Sequence, residues 1–330
     1  MTATNDGAWT ILRLLEWTRQ FFESRGIDEP RLEAELLLAH ALKVERIQLY
    51  VQHGRTVADP ELSTFRDLVR RRAARVPTQY LVGEAHFRHL VLKVTPAVLI
   101  PRPETELLVD EALAVLRPRR KPAWEYRDGQ FVDRRDAEAG ELVDAGAPHA
   151  PPEPRVLDLC TGSGCVALAI ASECPSARVT ATDLSSEALA VARENAARCG
   201  VADRVTWLEG DLFAPLAPLP PQDRVFDLIT ANPPYVSDAD MAGLMPEVRD
   251  HEPHMALAAG PDGMDLIDRI LAGAGPHLAD GGHLLMEIGH DQADRLRERL
   301  SSRAAAGIEL LEIRKDLSGH QRIAHLRRSP

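Results

Sequence analysis

The chain has 330 residues, 45% hydrophobic and 27% charged, with a formal net charge of -11. This length suits about two domains of ordinary globular composition, and no run of about 18 apolar residues offers a membrane span. The acidic balance argues against a broad nucleic-acid footprint, which relies on clustered Lys and Arg, while leaving room for a local basic patch. The opening MTATNDGAWT has neither a basic n-region nor an apolar h-region, so a cytoplasmic protein is expected. The cysteines Cys160, Cys165, Cys174 and Cys199 form no C-x-x-C pair and lie near no His-x-His. They are read as reduced small apolar residues, and no metal is expected.

The first part of the chain reads as helices. TILRLLEWTRQFFESRG carries apolar residues at helical spacing and ends on Gly26, a natural C-cap. DEPRLEAELLLAHAL follows with acidic residues and Pro30 in its first turn. A short third helix is expected over Glu45 to Gln52, and a fourth starts at Asp59-Pro60 and stops at Pro77. In that fourth helix Leu62, Phe65, Val69, Ala73 and Val76 form one apolar stripe, while Arg66, Arg70, Arg71, Arg72 and Arg75 spread over most of the remaining circumference. The arginines are read as a solvated face; the alternative is a contact surface for a protein or RNA partner.

These helices make up an expected domain over residues 1–82. HFRHLVLKVTPAV then alternates as a hairpin or extended linker would, within a linker over 83–103. Pro101 and Pro103 force an extended entry before a helix that begins near Glu104. Residues 117–154 mix charge runs, prolines and small residues without periodicity, which predicts a mobile surface insertion within a second domain over 104–330. Inside it, Asp128-Gly129 in WEYRDGQFV suits the turn of a small hairpin.

After Pro154 strands alternate with helices. RVLDLC, RVTATD, RVTWLEGD and FDLITANPP read as buried strands, with helical CVALAIASEC and SSEALAVARENAARCG between the first three. Such alternation implies a parallel sheet covered on both faces. HLLMEIG, IELLEIR and RIAHLRR supply further strands, with the last two read as antiparallel.

The first of these strands runs into Cys160, Thr161, Gly162, Ser163 and Gly164 and then a helix, so a ligand can approach the backbone closely at the glycines and meet exposed amides. The spacing is not the dinucleotide G-x-G-x-x-G, because Cys160 stands at the first glycine position and no third glycine follows. Asp183 ends the second strand and can accept hydrogen bonds from ribose hydroxyls, or cap the following helix. Asp211, Leu212 and Phe213 at the third strand's end suit an adenine. Together these features point to an adenosine ligand, and the loop spacing to S-adenosylmethionine.

The fourth strand stops at Asn232-Pro233-Pro234-Tyr235. A conjugated, planar NH2 is a poor nucleophile, so orientation must replace basicity. The Asn232 side-chain oxygen and the Pro233 carbonyl can each accept one N–H of such a group, both prolines lack competing donors, and Tyr235 can stack on it. Asn232, Pro233 and Tyr235 are therefore the candidate catalytic residues, and Asn232 can also touch the cofactor.

Asn-Pro-Pro-Tyr together with Asp-x-Cys-Thr-Gly-Ser-Gly resembles the amino-group methyltransferases. PTQYLVGEAHF, LIPRPETE, DLCTGSGC, NPPYV, EVRDHEPHMALAAGPDGMD, EIGHDQ and DLSGHQR occur in the order expected of the HemK/PrmC family, the peptide chain release factor glutamine methyltransferases. The resemblance covers the chain from about residue 8 apart from 117–154. It implies a Rossmann-like class I methyltransferase with a seven-strand, mostly parallel sheet, preceded by a small all-helical domain that helps bind a class I release factor. It further implies methylation of the glutamine in that factor's Gly-Gly-Gln loop, with the cofactor on Cys160 to Gly164, Asp183, Leu212 and Asn232. The glutamine then lies on Asn232 to Tyr235. Cys160 stands where glycine is more usual, and Leu212 where some members have tryptophan. Arg102, Glu104 and Glu106 of PRPETE are placed to frame the site mouth, or simply to begin a helix; Glu287 of EIG is read as structural.

A monomer acting on a protein, without membrane or direct nucleic-acid substrate, is expected. The rivals are the sister enzyme acting on a glutamine of a large-subunit ribosomal protein, a DNA or RNA amino-methyltransferase, and a cofactor-binding interaction protein without turnover. LIPRPETE favours the release-factor branch. A nucleic-acid enzyme would need a broad basic face, and mere cofactor binding would need no Asn-Pro-Pro-Tyr.

Overall fold

A computed structural model of the chain describes residues 8–116, 124–127, 130–133, 153–302 and 307–329. The chain divides into two compact units, one of residues 1–101 with Val236–Gly263 and one of Arg102–Tyr235 with residues 264–330. This differs from the linear division expected at 82 and 104: a segment from the middle of the second half returns to the helical unit.

In the first unit, α1 (Ile11–Ser24) starts where the Thr10 side chain accepts from the Arg13 amide at 3.3 Å, satisfying an otherwise orphaned donor. α2 (Pro30–Leu42) has its proline in the first turn, where no N–H is needed. α3 (Arg46–Val51) and α4 (Asp59–Ala73) follow, the latter with the Glu61 carboxylate accepting from the Ala58 amide at 3.1 Å. α5 (Thr78–Val82), not expected from the residue pattern, turns out through Gly83 at φ 81°. β1 (Glu84–Phe87) and β2 (Leu90–Lys93) form the expected hairpin. Phe22, Leu37, Leu38, Leu49 and Phe65 fill the core between the helices.

The α4 arginines do not all face solvent. Arg72 is 5% exposed and donates to Glu33 at 2.7 Å and to Glu247 at 3.0 Å, and Arg75 also reaches Glu247 at 3.0 Å. A solvated face is wrong for Arg72 because Glu247, 175 residues away in sequence, lies in the segment that returns to this unit. Arg66, Arg70 and Arg71 are exposed.

In the second unit, α6 (Glu106–Leu116) follows a short 3-10 turn over Pro103–Thr105. Of the insertion expected at 117–154, residues 117–123, 128–129 and 134–152 lie outside the described residues. β3 (Trp124–Arg127) and β4 (Gln130–Asp133) pair antiparallel, as a hairpin requires, although its turn at Asp128-Gly129 also lies outside. Then come β5 (Arg155–Leu159), α7 (Cys165–Glu173), β6 (Arg178–Asp183), α8 (Ser186–Arg198), β7 (Val205–Glu209) and β8 (Phe226–Ala231). α9 (Asp265–Ala274), β9 (Leu278–Glu287), α10 (Ala293–Ser302), β10 (Ile308–Lys315) and β11 (Gln321–Arg328) complete it.

The seven-strand sheet has the order β10-β11-β9-β8-β5-β6-β7. β5 pairs parallel with both β6 and β8, β6 with β7, and β8 with β9. β11 runs antiparallel to β9 and to β10, which a short connection between the last two strands permits. The parallel strands expected from the alternation are thus present, in the seven-strand, mostly parallel sheet that the resemblance implies. Leu157, Leu159, Ile229, Ala231, Leu284 and Met286 pack with Ile267, Ile270 and Leu271 of α9. The period of two along a strand sends Asp158 and Thr230 to the opposite face, where α6 packs on β8 and β9 and α7 on β6. Among the described residues, no helix is long and apolar enough to cross a membrane.

Candidate active site

β5 sits at the point where strand order reverses, between β6 and β8, and ligands of such sheets bind beyond the carboxyl ends of the strands there. The loop after β5 has Cys160, Gly162 and Gly164 in the left-handed region, at φ 56°, 55° and 83°. Gly164 cannot be replaced freely even apart from its φ, since a Cβ would lie 3.1 Å from Trp207 and 3.2 Å from Ala192 and Leu168. Cys160 adopts the same region with a side chain, the cost of standing at a glycine position. Burial pushes its thiol far above the usual range, so it is no nucleophile.

Two carboxylates hold this loop. Asp158, 1% exposed, accepts from the hydroxyls of Thr161 at 2.6 Å and Thr230 at 2.7 Å. Burial raises its pKa from 3.8 to about 6, against these hydroxyls and the Ala167 amide. Asp183 accepts from the amides of Gly162 at 2.8 Å and Ser185 at 2.9 Å. Its pKa is raised by burial, opposed by backbone N–H groups of Ser185, Gly162 and Leu184. An ionised carboxylate offers about four acceptor sites, so capacity for a ribose hydroxyl remains. Asn195 of α8 donates to the Ser163 carbonyl at 3.0 Å from a buried position, fixing the far side of the loop.

The third strand's end departs from expectation. Asp211 forms an ion pair with Arg269 at 2.5 Å, and Leu212 is buried in the core at φ 47°. Phe213 turns its ring onto His277, stacked at 5.0 Å, and covers Gly273, where a Cβ would fall 2.6 Å from the ring. Leu184, which follows Asp183, is 57% exposed and is an apolar surface that an adenine could use instead. Its sequence signal, a leucine directly after the acidic strand end, is available but weak. Capacity on Asp183, a backbone open at Gly162 and an exposed Leu184 fit an adenosine-bearing cofactor.

Beyond β8, the Asn232 side-chain N–H donates to the Thr105 hydroxyl at 3.2 Å, and that hydroxyl donates to Glu287 at 2.8 Å. The Tyr235 hydroxyl reaches the other oxygen of Glu287 at 3.4 Å. Gln292 donates to the Tyr235 carbonyl at 2.9 Å while accepting from the Gly289 amide at 2.8 Å. Thr105 is 1% exposed and Glu287 2%. Burial raises the Glu287 pKa, opposed by Thr105, Arg322 and Tyr235, with Glu104 adding to the rise. Burial, followed by the charge of Glu287, pushes Tyr235 well above the usual phenol range, opposed by Arg322 and Arg102.

Asn232, Thr105, Tyr235 and Glu287 are therefore one connected group, joined from three distant stretches of sequence. Arg102 and Glu104 act on it through charge, whereas Thr105, unremarked within PRPETE, is the residue of that turn that touches Asn232. Glu287, read from sequence as structural, forms the back of the Asn-Pro-Pro-Tyr segment. Pro233 is buried and Pro234 partly so.

Residues 13–83 match the family model of the PrmC N-terminal domain, and residues 156–251 that of a methyltransferase domain. The release factor glutamine methyltransferase of Rhodopirellula baltica is 39% identical over 326 residues, covering 99% of each chain. That of Geobacter sulfurreducens is 42% identical over 286 residues, 87% of this chain and 86% of the other. A solved release factor-specific protein-(glutamine-N5) methyltransferase from Alicyclobacillus acidocaldarius is 27% identical with a TM-score of 0.39, over 72% of this chain and 100% of that one. With such identity sustained from end to end, the chain belongs to the HemK/PrmC family, the release factor glutamine methyltransferases.

Proposed function

We propose that the chain transfers a methyl group from S-adenosylmethionine to the side-chain amide nitrogen of the glutamine in the Gly-Gly-Gln motif of class I release factors. The observation that carries this reading is the double role of Asp158. Through Thr161 it holds the loop assigned to the cofactor, and through Thr230 it holds the strand end that leads into Asn232. The cradle and the amide holder are thereby registered to each other through one buried carboxylate, as direct transfer between two ligands demands.

Gly162, Asp183, Leu184 and the Cys160–Gly164 backbone would bind the cofactor. Once bound, it supplies an electrophilic methyl group for direct displacement, the sulfur keeping the bonding electron pair. The chain's own task is orientation: Asn232 Oδ1 and the Pro233 carbonyl accept the two N–H bonds of the glutamine amide, and the Tyr235 ring covers its plane. The nitrogen turns a face to the methyl group, and its surplus proton leaves to water as the new bond forms. Residues 1–82 serve recognition of the protein substrate.

Incubation with labelled cofactor and, separately, a release factor, a large-subunit ribosomal protein and DNA, followed by mass spectrometry, tests the reading. Label on the Gly-Gly-Gln glutamine is expected. Label only on the ribosomal protein or on DNA overturns it.

A further inference from the structure

Asn232 can serve as an acceptor only if its amide is turned the right way round, and the two orientations have nearly the same shape. Flipped, it would present an NH2 to the substrate's NH2, two donors facing each other. The residues behind Asn232 distinguish the two states. A hydroxyl has one proton and two lone pairs. Glu287, as a carboxylate, only accepts, so the Thr105 proton is committed to it at 2.8 Å. What Thr105 then shows Asn232, at 3.2 Å, is lone pairs. Only the NH2 end of Asn232 can face lone pairs favourably, so its Oδ1 turns away from Thr105.

We propose that Thr105, held by Glu287, is a positioning residue that dictates which end of the Asn232 amide faces the substrate. The inference rests on the glutamine-methylation reading for its consequence in turnover. The orientation itself rests on the buried chain of donors and acceptors, in which a carboxylate at one end fixes the sense of every bond up to Asn232. Burial matters because water cannot substitute: Thr105 and Glu287 are both almost wholly enclosed, and an unmet donor there is costly. A second bond, from Tyr235 to Glu287, keeps the carboxylate facing this group.

Thr105→Val is nearly isosteric and removes the hydroxyl, while Thr105→Ser restores it. Single-turnover methylation of intact release factor is expected to slow roughly ten- to a hundredfold in Thr105→Val and to recover largely in Thr105→Ser, with cofactor affinity changed less than about twofold in either. A folding defect would lower cofactor binding and would not be rescued selectively at the chemical step. In parallel, nitrogen-resolved NMR of the Asn232 side chain reports orientation without any substrate. One of its two N–H protons should exchange slowly in the wild type and in Thr105→Ser, and rapidly in Thr105→Val.

Wild-type turnover in Thr105→Val, or equal impairment of the valine and serine variants, overturns the inference. So does an Asn232 N–H that exchanges rapidly in the wild type. If the wild type leaves release factor unlabelled while the slow Asn232 proton persists and depends on the Thr105 hydroxyl, the methylation reading has failed and the orientation stands.

Discussion

The end of the site proposed for the cofactor is built largely on backbone, whereas the end proposed to hold the amide is built largely of side chains gathered from separate places. At the first, amides of Gly162 and Ser185 converge on Asp183, and left-handed φ values at Cys160, Gly162 and Gly164 shape the loop. At the second, Thr105, Asn232, Tyr235, Glu287 and Gln292 meet through hydrogen bonds of 2.8 to 3.4 Å. A backbone cradle is contiguous in sequence and tolerates side-chain change outside its glycines and its carboxylate. In the holder only Asn232 and Tyr235 share a contiguous motif; Thr105, Glu287 and Gln292 behind them have no contiguous signature, and each member fixes another. Damage to the cradle should therefore appear as lost binding, and damage to the holder as lost turnover.

The sharpest way to break that contrast is Asn232→Ala. It removes one acceptor for the target NH2, and single-turnover methylation should fall by roughly a hundredfold or more, with a smaller change in cofactor affinity. Near wild-type turnover would dissolve the distinction.

Asp183→Ala attacks the other end. Calorimetry should show cofactor binding weakened by roughly 1.5 to 3 kcal/mol, because hydrogen bonds to a charged acceptor are lost. Unchanged affinity in a folded variant would remove Asp183 from the cofactor site.

Asp158 joins the two ends, and its contribution depends on pH. Its folded pKa, about 6, lies above the ordinary 3.8, so the native state holds the proton more tightly than the unfolded chain. The contribution is fully present below about pH 4 and is lost as pH rises through about 6. Asp183 and Glu287, also raised, add the same sign. Denaturant unfolding between pH 4 and 7 should show Asp158→Asn flattening the decline by roughly 2 kcal/mol. An identical pH slope in the two proteins would contradict the burial of an ionisable Asp158.

The smallest effect concerns Thr182, next to Asp183. Its hydroxyl is buried and has no hydrogen-bond partner among the described residues, while its carbonyl accepts from Thr161 at 3.1 Å. Thr182→Val keeps the shape and the backbone bond, and should stabilise the fold by about 1 kcal/mol with cofactor affinity unaltered. A loss of stability on thermal melting would show that the hydroxyl has a role in the cradle.

What could be read in advance follows the same divide. Alternating strands and helices after Pro154, the Cys160–Gly164 turn and the Asp183 strand end are local patterns, and each lies where expected. The helical stripe of α4 also appears as read, with Leu62, Phe65 and Val69 buried. Arg72 was not legible, since nothing within α4 signals that Glu247 will meet it from a segment far along the chain. Phe213 departs from its reading for a similar reason: a hydrophobic residue at a strand end is equally suited to core and to ligand, and here His277 and Gly273 took it.

Residue order alone determined the alternation of strands and helices that makes parallel strands, the Cys160–Gly164 turn and the donor-poor Asn-Pro-Pro-Tyr strand end, because each depends on neighbours within a few positions: periodicity, φ at glycine, the missing N–H of proline. Only the tertiary structure decided that Thr105 and Glu287 stand behind Asn232, that Asp158 ties Thr161 to Thr230, and that residues 236–263 join the helical unit. Apart from the contact of Asp158 with Thr161, three residues on, those are pairings between residues far apart in the chain. Their partners are chosen by how the sheet stacks its strands and which faces the helices cover, which no local pattern encodes.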